Sequence, residues 1–219
     1  MSKKELPADY EFRTIQTAVE CREAEGAEPK GFGHFAVFNQ RTEIWPGFFE
    51  EVDPGAFDDV LKDDVRVLID HTSNLIIART KAGTARLGKD ETGATVEFDF
   101  PKTTRGADLK EDMRNGNITE MSFGFSVKED KWTDLGDGKQ LRTILKLKHL
   151  YDVSPVTFAA YPQTDVALRS LDEWRKAQDP EPDPTQHPDD DLAIGIRTRE
   201  RERKLKLLKD KSEAASLYH

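Results

Sequence analysis

The sequence predicts a mainly β domain with a few flanking helices, arranged as a closed or nearly closed β-barrel. In short runs, β-branched and aromatic residues alternate with polar ones, and turn-forming residues separate the runs. Eight runs fit strands, at residues 10–19, 31–39, 65–69, 76–80, 94–100, 122–128, 141–150 and 156–160. A barrel would best protect so many short strand edges from pairing with other chains.

Helical signals are fewer than strand signals. Residues 53–62 (DPGAFDDVLK) carry Pro54 where a first helical turn tolerates proline. Residues 105–115 (RGADLKEDMRN) are followed by Gly116, a residue typical of helix ends. The helices would therefore flank a domain built mainly of strands.

Composition divides the chain into three parts. Residues 1–171 are the predicted barrel domain, because they hold nearly all the aromatic residues and β-branched runs. Residues 172–192 form an acidic, proline-rich linker, since this stretch has too little apolar surface to fold. Residues 193–219 form a basic helix or tail. That helix is either a solvated terminus or a docking tag for an acidic surface.

The overall charge and the cysteine content exclude several classes of function. The 219 residues contain 33 Lys and Arg against 42 Asp and Glu, and a net charge of −9 argues against a general nucleic-acid coat. The one cysteine, Cys21, excludes an intramolecular disulfide and a site of several thiolates, which fits a reducing compartment such as the cytoplasm.

No membrane or secretory segment is expected. No stretch approaches the ~18 apolar residues that a membrane span needs, and the first residues lack the apolar core of a signal peptide. Phosphate-loop, dinucleotide-binding, HExxH and CxxC motifs are absent, so neither a cofactor nor a metal is predicted.

Ser122 is the leading candidate for a nucleophile. In the predicted strand MSFGFSV, alternation places Ser122, Gly124 and Ser126 on the face opposite the apolar residues. Gly124 would leave that face open to the backbone of a substrate. Alternatively, Ser122 is an ordinary polar residue on a strand that faces solvent and has no catalytic role.

His71 is the candidate general base. It follows the apolar run 65–69, where an imidazole can be partly buried and still reach a cleft. Histidine, with a reference pKa near ~6.5, exchanges protons readily at neutral pH. Alternatively, His71 is a histidine at the end of a strand whose ring nitrogens are hydrogen-bonded and which has no catalytic role.

The third candidate lies in the segment HLYDVSPV, residues 149–156. Asp152 shares strand parity with Ser154, whereas His149 points to the opposite face, so only one of the two can face a given cleft. A carboxylate would hold the base in the useful tautomer, and a second histidine could do so more weakly. Alternatively, Asp152 is a surface aspartate beside a turn proline and has no role in a site.

Together these segments resemble the phage prohead (capsid maturation) proteases of the HK97 type. The blocks that carry the resemblance occur in the order of that family: GFGHFAVFN (31–39), EEVDPGAF (50–57), LIDHTSN (68–74), ARTKAGTARLGKDETGATVEFDFP (78–101), GNITEMSFGF (116–125) and YDVSPVTFAAYPQT (151–164). The resemblance covers about residues 31–165 and implies a serine protease with the barrel fold of the herpesvirus assemblins.

By motif, the resemblance implies that His71 is the general base, Ser122 the nucleophile and Asp152 the orienting acid. Assemblin-like relatives use a second histidine, which keeps His149 as an alternative third member. It also implies cleavage of scaffold, or of a scaffold-like segment of the major capsid protein, and of the protease itself, inside the assembling procapsid in the host cytoplasm. A homodimer is implied as well, and no nucleic-acid or membrane partner is expected.

Two rival functions remain open from the sequence. The same barrel could serve as a non-catalytic capsid-assembly or scaffolding module, with the three residues in purely structural positions. A metal hydrolase using His34, Asp70 and His71 is the second rival.

Overall fold

The computed structural model describes residues 7, 9–15, 19–158, 170, 171 and 174. The helices are α1, Thr104–Arg114, and a short 3-10 turn, Thr80–Ala82. The strands are β1 Glu11–Ile15, β2 Glu20–Arg22, β3 Lys30–Val37, β4 Thr42–Trp45, β5 Phe48–Val52, β6 Arg66–Ile69, β7 Thr72–Arg79, β8 Ala85–Lys89, β9 Gly93–Asp99, β10 Glu120–Gly136 and β11 Lys139–Val156. Apart from residue 174, the predicted linker and basic tail (172–192 and 193–219) lie outside the described residues.

The strands form two sheets. In the first, the order is β1-β10-β11-β5-β4, and β6 pairs with both β11 and β7. The second sheet is antiparallel, with the order β2-β3-β9-β8. The long hairpin of β10 and β11 organises the first sheet, because β11 pairs in parallel with β5 near its start and with β6 near its end.

The mainly β class is confirmed, but the closed barrel is not. Among the described residues, the pairing leaves both sheets open, and their apolar faces meet in one core. Phe35 of β3 packs against Phe123 of β10, with ring centroids 5.9 Å apart. A barrel and two facing sheets produce the same alternation of apolar and polar residues, so the alternation did not distinguish them.

The predicted helix at residues 53–62 is wrong. The segment forms consecutive turns, closed by bonds such as Ala56 N–H to Asp53 O at 2.9 Å. Gly55 and the aspartates favour turns over helix, and Asp53 Oδ1 accepts from Gly55 N–H at 2.7 Å. Phe57, which is fully buried, anchors the turns in the core.

The predicted helix near 105–115 is present as α1. The hydroxyl of Thr103 accepts a hydrogen bond from the backbone N–H of Gly106, which caps its first turn. Gly116, at φ 73°, follows the last turn in the left-handed region. No helix among the described residues combines the length and apolar content needed to cross a bilayer.

A buried ionic cluster joins β1, β5, β10 and β11. Arg13 donates to Glu50 Oε2 at 2.8 Å and to Glu11 Oε2 at 2.7 Å. Arg142 donates to Glu11 Oε2 at 2.9 Å and to Asp130 Oδ2 at 2.7 Å. Burial alone would raise the pKa of Glu11, but the two guanidinium groups outweigh burial and lower that pKa. Each of these buried charges is therefore stabilised by the opposite charges around it.

Replacing Arg142 with leucine should lower the free energy of unfolding by about 3–5 kcal/mol, because Glu11 Oε1 loses its donor and two buried carboxylates are left to share the single charge of Arg13. Urea unfolding of the purified chain measures the change. The control is Lys146→Met, which removes an exposed ion pair with Glu129 and should change stability little. An equal decrease in the free energy of unfolding in both variants would contradict a special role for the buried cluster.

Candidate active site

His71 occupies a strained two-residue turn between β6 and β7. Ile69 pairs with Thr72, which leaves Asp70 and His71 as the two turn residues. Both have left-handed φ values, 49° and 51°, as a type I′ hairpin turn requires. Such conformations cost free energy in residues other than glycine and persist where the surrounding structure holds them. The turn therefore aims the imidazole in a fixed direction.

The end of β11 holds this turn in place. The backbone N–H of Asp70 donates to Pro155 O at 3.1 Å. In return, the Asp70 carboxylate accepts bonds from the backbone N–H and the hydroxyl of Thr157, at 2.8 and 2.9 Å. These contacts fasten the turn that carries His71 to the strand that carries Asp152.

The structure places His71 between Ser122 and Asp152. Its Nε2 lies 2.6 Å from Ser122 Oγ, and its Nδ1 lies 2.5 Å from Asp152 Oδ1. Ser122 pairs with Ser154 across β10 and β11, and the next pair on the same face is Gly124 with Asp152. The register of one hairpin thus aligns the hydroxyl and the carboxylate, and the β6–β7 turn adds the imidazole.

His149, the alternative third residue, does not contact His71. Its side chain is 53% exposed, and its Nδ1 lies 4.0 Å from Asp63 Oδ2. Strict alternation, which set His149 on the face opposite Asp152, is interrupted between these residues, because the pairing shifts register between the pair Gly124 with Asp152 and the pair Phe125 with Leu150. The structure therefore brings the carboxylate, and not the second histidine, to Nδ1.

Asp152 receives two further hydrogen bonds that the sequence analysis did not anticipate. Ser154 Oγ donates to Oδ1 at 2.9 Å, and the hydroxyl of Tyr10 donates to Oδ2 at 2.9 Å. Burial, followed by the charge and hydrogen bond of Asp152, raises the pKa of Tyr10, so this phenol stays a neutral donor. Ser154 lies two residues from Asp152 on the same strand, so the sequence could have indicated that the two side chains share a face. Nothing in the local sequence linked Tyr10 to the site.

Gly124 makes room for this network, not for a substrate as the alternation pattern had suggested. A Cβ at Gly124 would lie 2.1 Å from Tyr10 Oη and 2.5 Å from Asp152 Oδ2. Both distances are far below van der Waals contact. The missing side chain therefore allows Tyr10 and Asp152 to meet across the strand.

Ser122 is not on an open face, in contrast to the expectation from alternation. The residue is fully buried, as is Ser126 on the same strand. Its hydroxyl also lies 3.0 Å from the carbonyl oxygen of Arg13 on β1. The ring of Phe12, also on β1, lies 5.4 Å from the ring of His71. The neighbouring strand β1 therefore places a backbone carbonyl and an aromatic ring beside the site, on the face that alternation alone would leave open.

The residues of the proposed metal rival are engaged separately. His34 lies on β3 of the second sheet, with its Nε2 2.9 Å from Asp90 Oδ2. Asp70 binds Thr157, and His71 contacts Ser122. Within the part of the chain that the structure describes, no group of three His, Cys, Asp or Glu side chains could hold a metal ion.

A buried alcohol, an imidazole and a carboxylate, linked in this order at hydrogen-bond distances, form the arrangement that defines the serine hydrolases. A family model described as caudovirus prohead serine protease matches residues 17–177. The chain belongs to this family, which confirms the resemblance noted in its sequence.

Two individual proteins are similar to this chain. The prohead protease of Enterobacteria phage HK97 is 31% identical over 155 residues, which cover 68% of this chain and 64% of that protein. The chain thus aligns with under two-thirds of that relative's length. The structure of the bacteriophage T4 capsid assembly protease matches 67% of this chain and 96% of its own, with 12% identity and a TM-score of 0.43.

Replacing Gly124 with alanine should separate Tyr10 from Asp152 and displace the imidazole that Asp152 holds. The labelling rate of Ser122 by a fluorophosphonate should fall on the order of 10²-fold, the effect of a small misplacement of reacting groups. Labelled intact mass over time measures the rate. The control is Gly88→Ala, a strand glycine whose added Cβ would meet only Thr95 Oγ1 at 3.1 Å. Unchanged labelling in Gly124→Ala would contradict this account of the glycine.

Proposed function

We propose that this chain is a serine endopeptidase in which Ser122 is the nucleophile, His71 the general base and Asp152 the orienting acid. The observation that carries the proposal is the pair of contacts made by His71, at 2.6 Å to Ser122 Oγ and 2.5 Å to Asp152 Oδ1. Membership of the prohead serine protease family supports the same activity.

In this mechanism, Ser122 Oγ attacks the carbonyl carbon of the scissile peptide bond while its proton passes to His71 Nε2. The C–N bond then breaks as Nε2 returns the proton to the leaving amine, and an acyl-enzyme remains. Water, deprotonated by the same nitrogen, hydrolyses this ester. General-base catalysis of this kind contributes roughly 10²–10⁴-fold to the rate.

Asp152 keeps the proton on Nδ1, so that Nε2 presents its lone pair to the serine. Ser154 and Tyr10 fix the carboxylate in turn through their hydrogen bonds. Because Ser122 is fully buried, a scissile carbonyl reaches Oγ only after groups around the hydroxyl move. The mechanism therefore includes a local opening before acylation.

The proposed substrates are scaffold protein, or a scaffold-like segment of the major capsid protein, and the protease itself. Cleavage would take place during procapsid maturation, inside the assembling procapsid in the host cytoplasm. The family of this chain supports these assignments. Dimerisation of the protease is part of the same proposal, and sedimentation of the purified chain tests it.

Coexpression with the proposed substrate, a major capsid protein that carries a scaffold-like segment, tests the activity. Wild type should yield truncated capsid chains by intact mass, and Ser122→Ala should yield none, because the variant lacks the nucleophile. Ser126→Ala is the matched control, since it removes a buried hydroxyl from the same strand, close to Tyr151 and not to His71. Truncated capsid chains in the presence of wild type, Ser122→Ala and Ser126→Ala alike would refute Ser122 as the nucleophile. No truncation and no fluorophosphonate labelling with wild type would favour the non-catalytic assembly module.

Replacing Tyr10 with phenylalanine should lower kcat on the order of tenfold, because Asp152 loses a hydrogen bond to a charged group. KM should change little, since Tyr10 acts through Asp152. Peptide-cleavage kinetics separate the two constants. Tyr151→Phe is the control, because the two tyrosine rings lie 5.6 Å apart and Tyr151 contacts Ser126. A rise in KM with unchanged kcat would contradict a positioning role for Tyr10.

A further inference from the structure

Glu120 carries a carboxylate oxygen that has no hydrogen-bond partner within the described part of the chain. Its Oε2 is buried, and among the described residues no hydrogen-bond donor reaches it. A buried acceptor without a donor costs free energy, and an ionised one costs more. In native structures such groups are rare, so each calls for a physical explanation.

The position of Glu120 connects this oxygen to the active site. Along β10 and β11, the cross-strand pairs on one face are Gly124 with Asp152, Ser122 with Ser154, and then Glu120 with Val156. The register is regular from Glu120 to Gly124, so Glu120 and Ser122 share a face. Two residues of strand separate their Cα atoms by roughly 6.6 Å, about the span of two residues of an extended peptide.

Val156, the residue opposite Glu120 on β11, adds an apolar group to the carboxylate, and the two together can form a subsite. Val156, which is buried, is the cross-strand partner of Glu120 and places an apolar side chain next to it. The nearby carboxylates are already bound, Asp152 by His71 and Asp70 by Thr157. An apolar side chain beside an unpaired carboxylate oxygen suits a long aliphatic side chain with a cationic end, because the aliphatic stem packs against the one and the charge pairs with the other.

We propose that Glu120 is a specificity-determining residue that binds the lysine or arginine side chain of a substrate within two residues of the scissile bond. This inference rests on the proposed endopeptidase activity, and it names the class of peptide that the same site takes. The cation supplies the donor that Oε2 lacks, and Val156 supports its methylene groups.

The test is cleavage of a positional-scanning library of internally quenched peptides by the full chain. Wild type should prefer Lys or Arg to Met or Gln by at least about tenfold in kcat/KM at one position near the scissile bond, which is the scale of a hydrogen bond to a charged group. Glu120→Gln should remove most of this preference, and Glu120→Lys should shift it toward Asp or Glu. Glu91→Gln, an exposed carboxylate in the turn between β8 and β9, is the control and should keep the wild-type profile.

Fluorophosphonate labelling of Ser122 separates the two ways of failing. Wild type that labels and cleaves with no preference for basic residues would overturn the role of Glu120 and leave the protease assignment standing. A Glu120→Gln variant that keeps the wild-type preference would overturn that role as well. Wild type that neither labels nor cleaves would overturn the proposed activity, and the inference would fall with it.

Discussion

The arrangement of the site depends on the nearly buried carboxylate of Asp152. A buried carboxylate is stable only when donors surround it, and here one oxygen faces His71 and Ser154 while the other faces Tyr10. Each donor comes from a different place, namely the β6–β7 turn, β11 itself and the residue before β1. Gly124 leaves the volume in which the tyrosine and the carboxylate meet. One charge thus fixes the relative positions of three parts of the chain.

The two faces of β1 serve different purposes. Glu11 and Arg13 point into the ionic cluster with Glu50, whereas Phe12 lies against the site from the other face. Because side chains alternate along a strand, a slip of one residue would exchange these faces and remove the charges from their partners. Buried ion pairs add little net stability, but breaking them is costly. The cluster therefore sets the register that carries Tyr10 to Asp152.

Local patterns predicted much of this structure, and long-range contacts account for the rest. The three candidate residues were predicted from distinctive local segments, and the structure brings their side chains into contact. Alternation was not a sound basis for separating Asp152 from His149, because the pairing shifts register between them. Tyr10 escaped notice because its partner lies 142 residues away in sequence. Helix signals at residues 53–62 were overridden by turns around a buried phenylalanine, and the hairpin within residues 42–52 was not predicted. Sheet closure depends on how distant strands meet, which alternation does not encode.

The hydroxyl of Ser122 has one proton and two acceptors within reach. If Nδ1 of His71 donates to Asp152, a neutral imidazole leaves Nε2 bare, and the hydroxyl must donate to it to satisfy the 2.6 Å contact. If the hydroxyl donates instead to Arg13 O, at 3.0 Å, Nε2 must carry a proton and donate to Oγ. Rotation of the hydroxyl is therefore coupled to the protonation of His71. A hydroxyl that donates to the carbonyl on β1 is not activated, and attack begins from the arrangement in which it donates to Nε2.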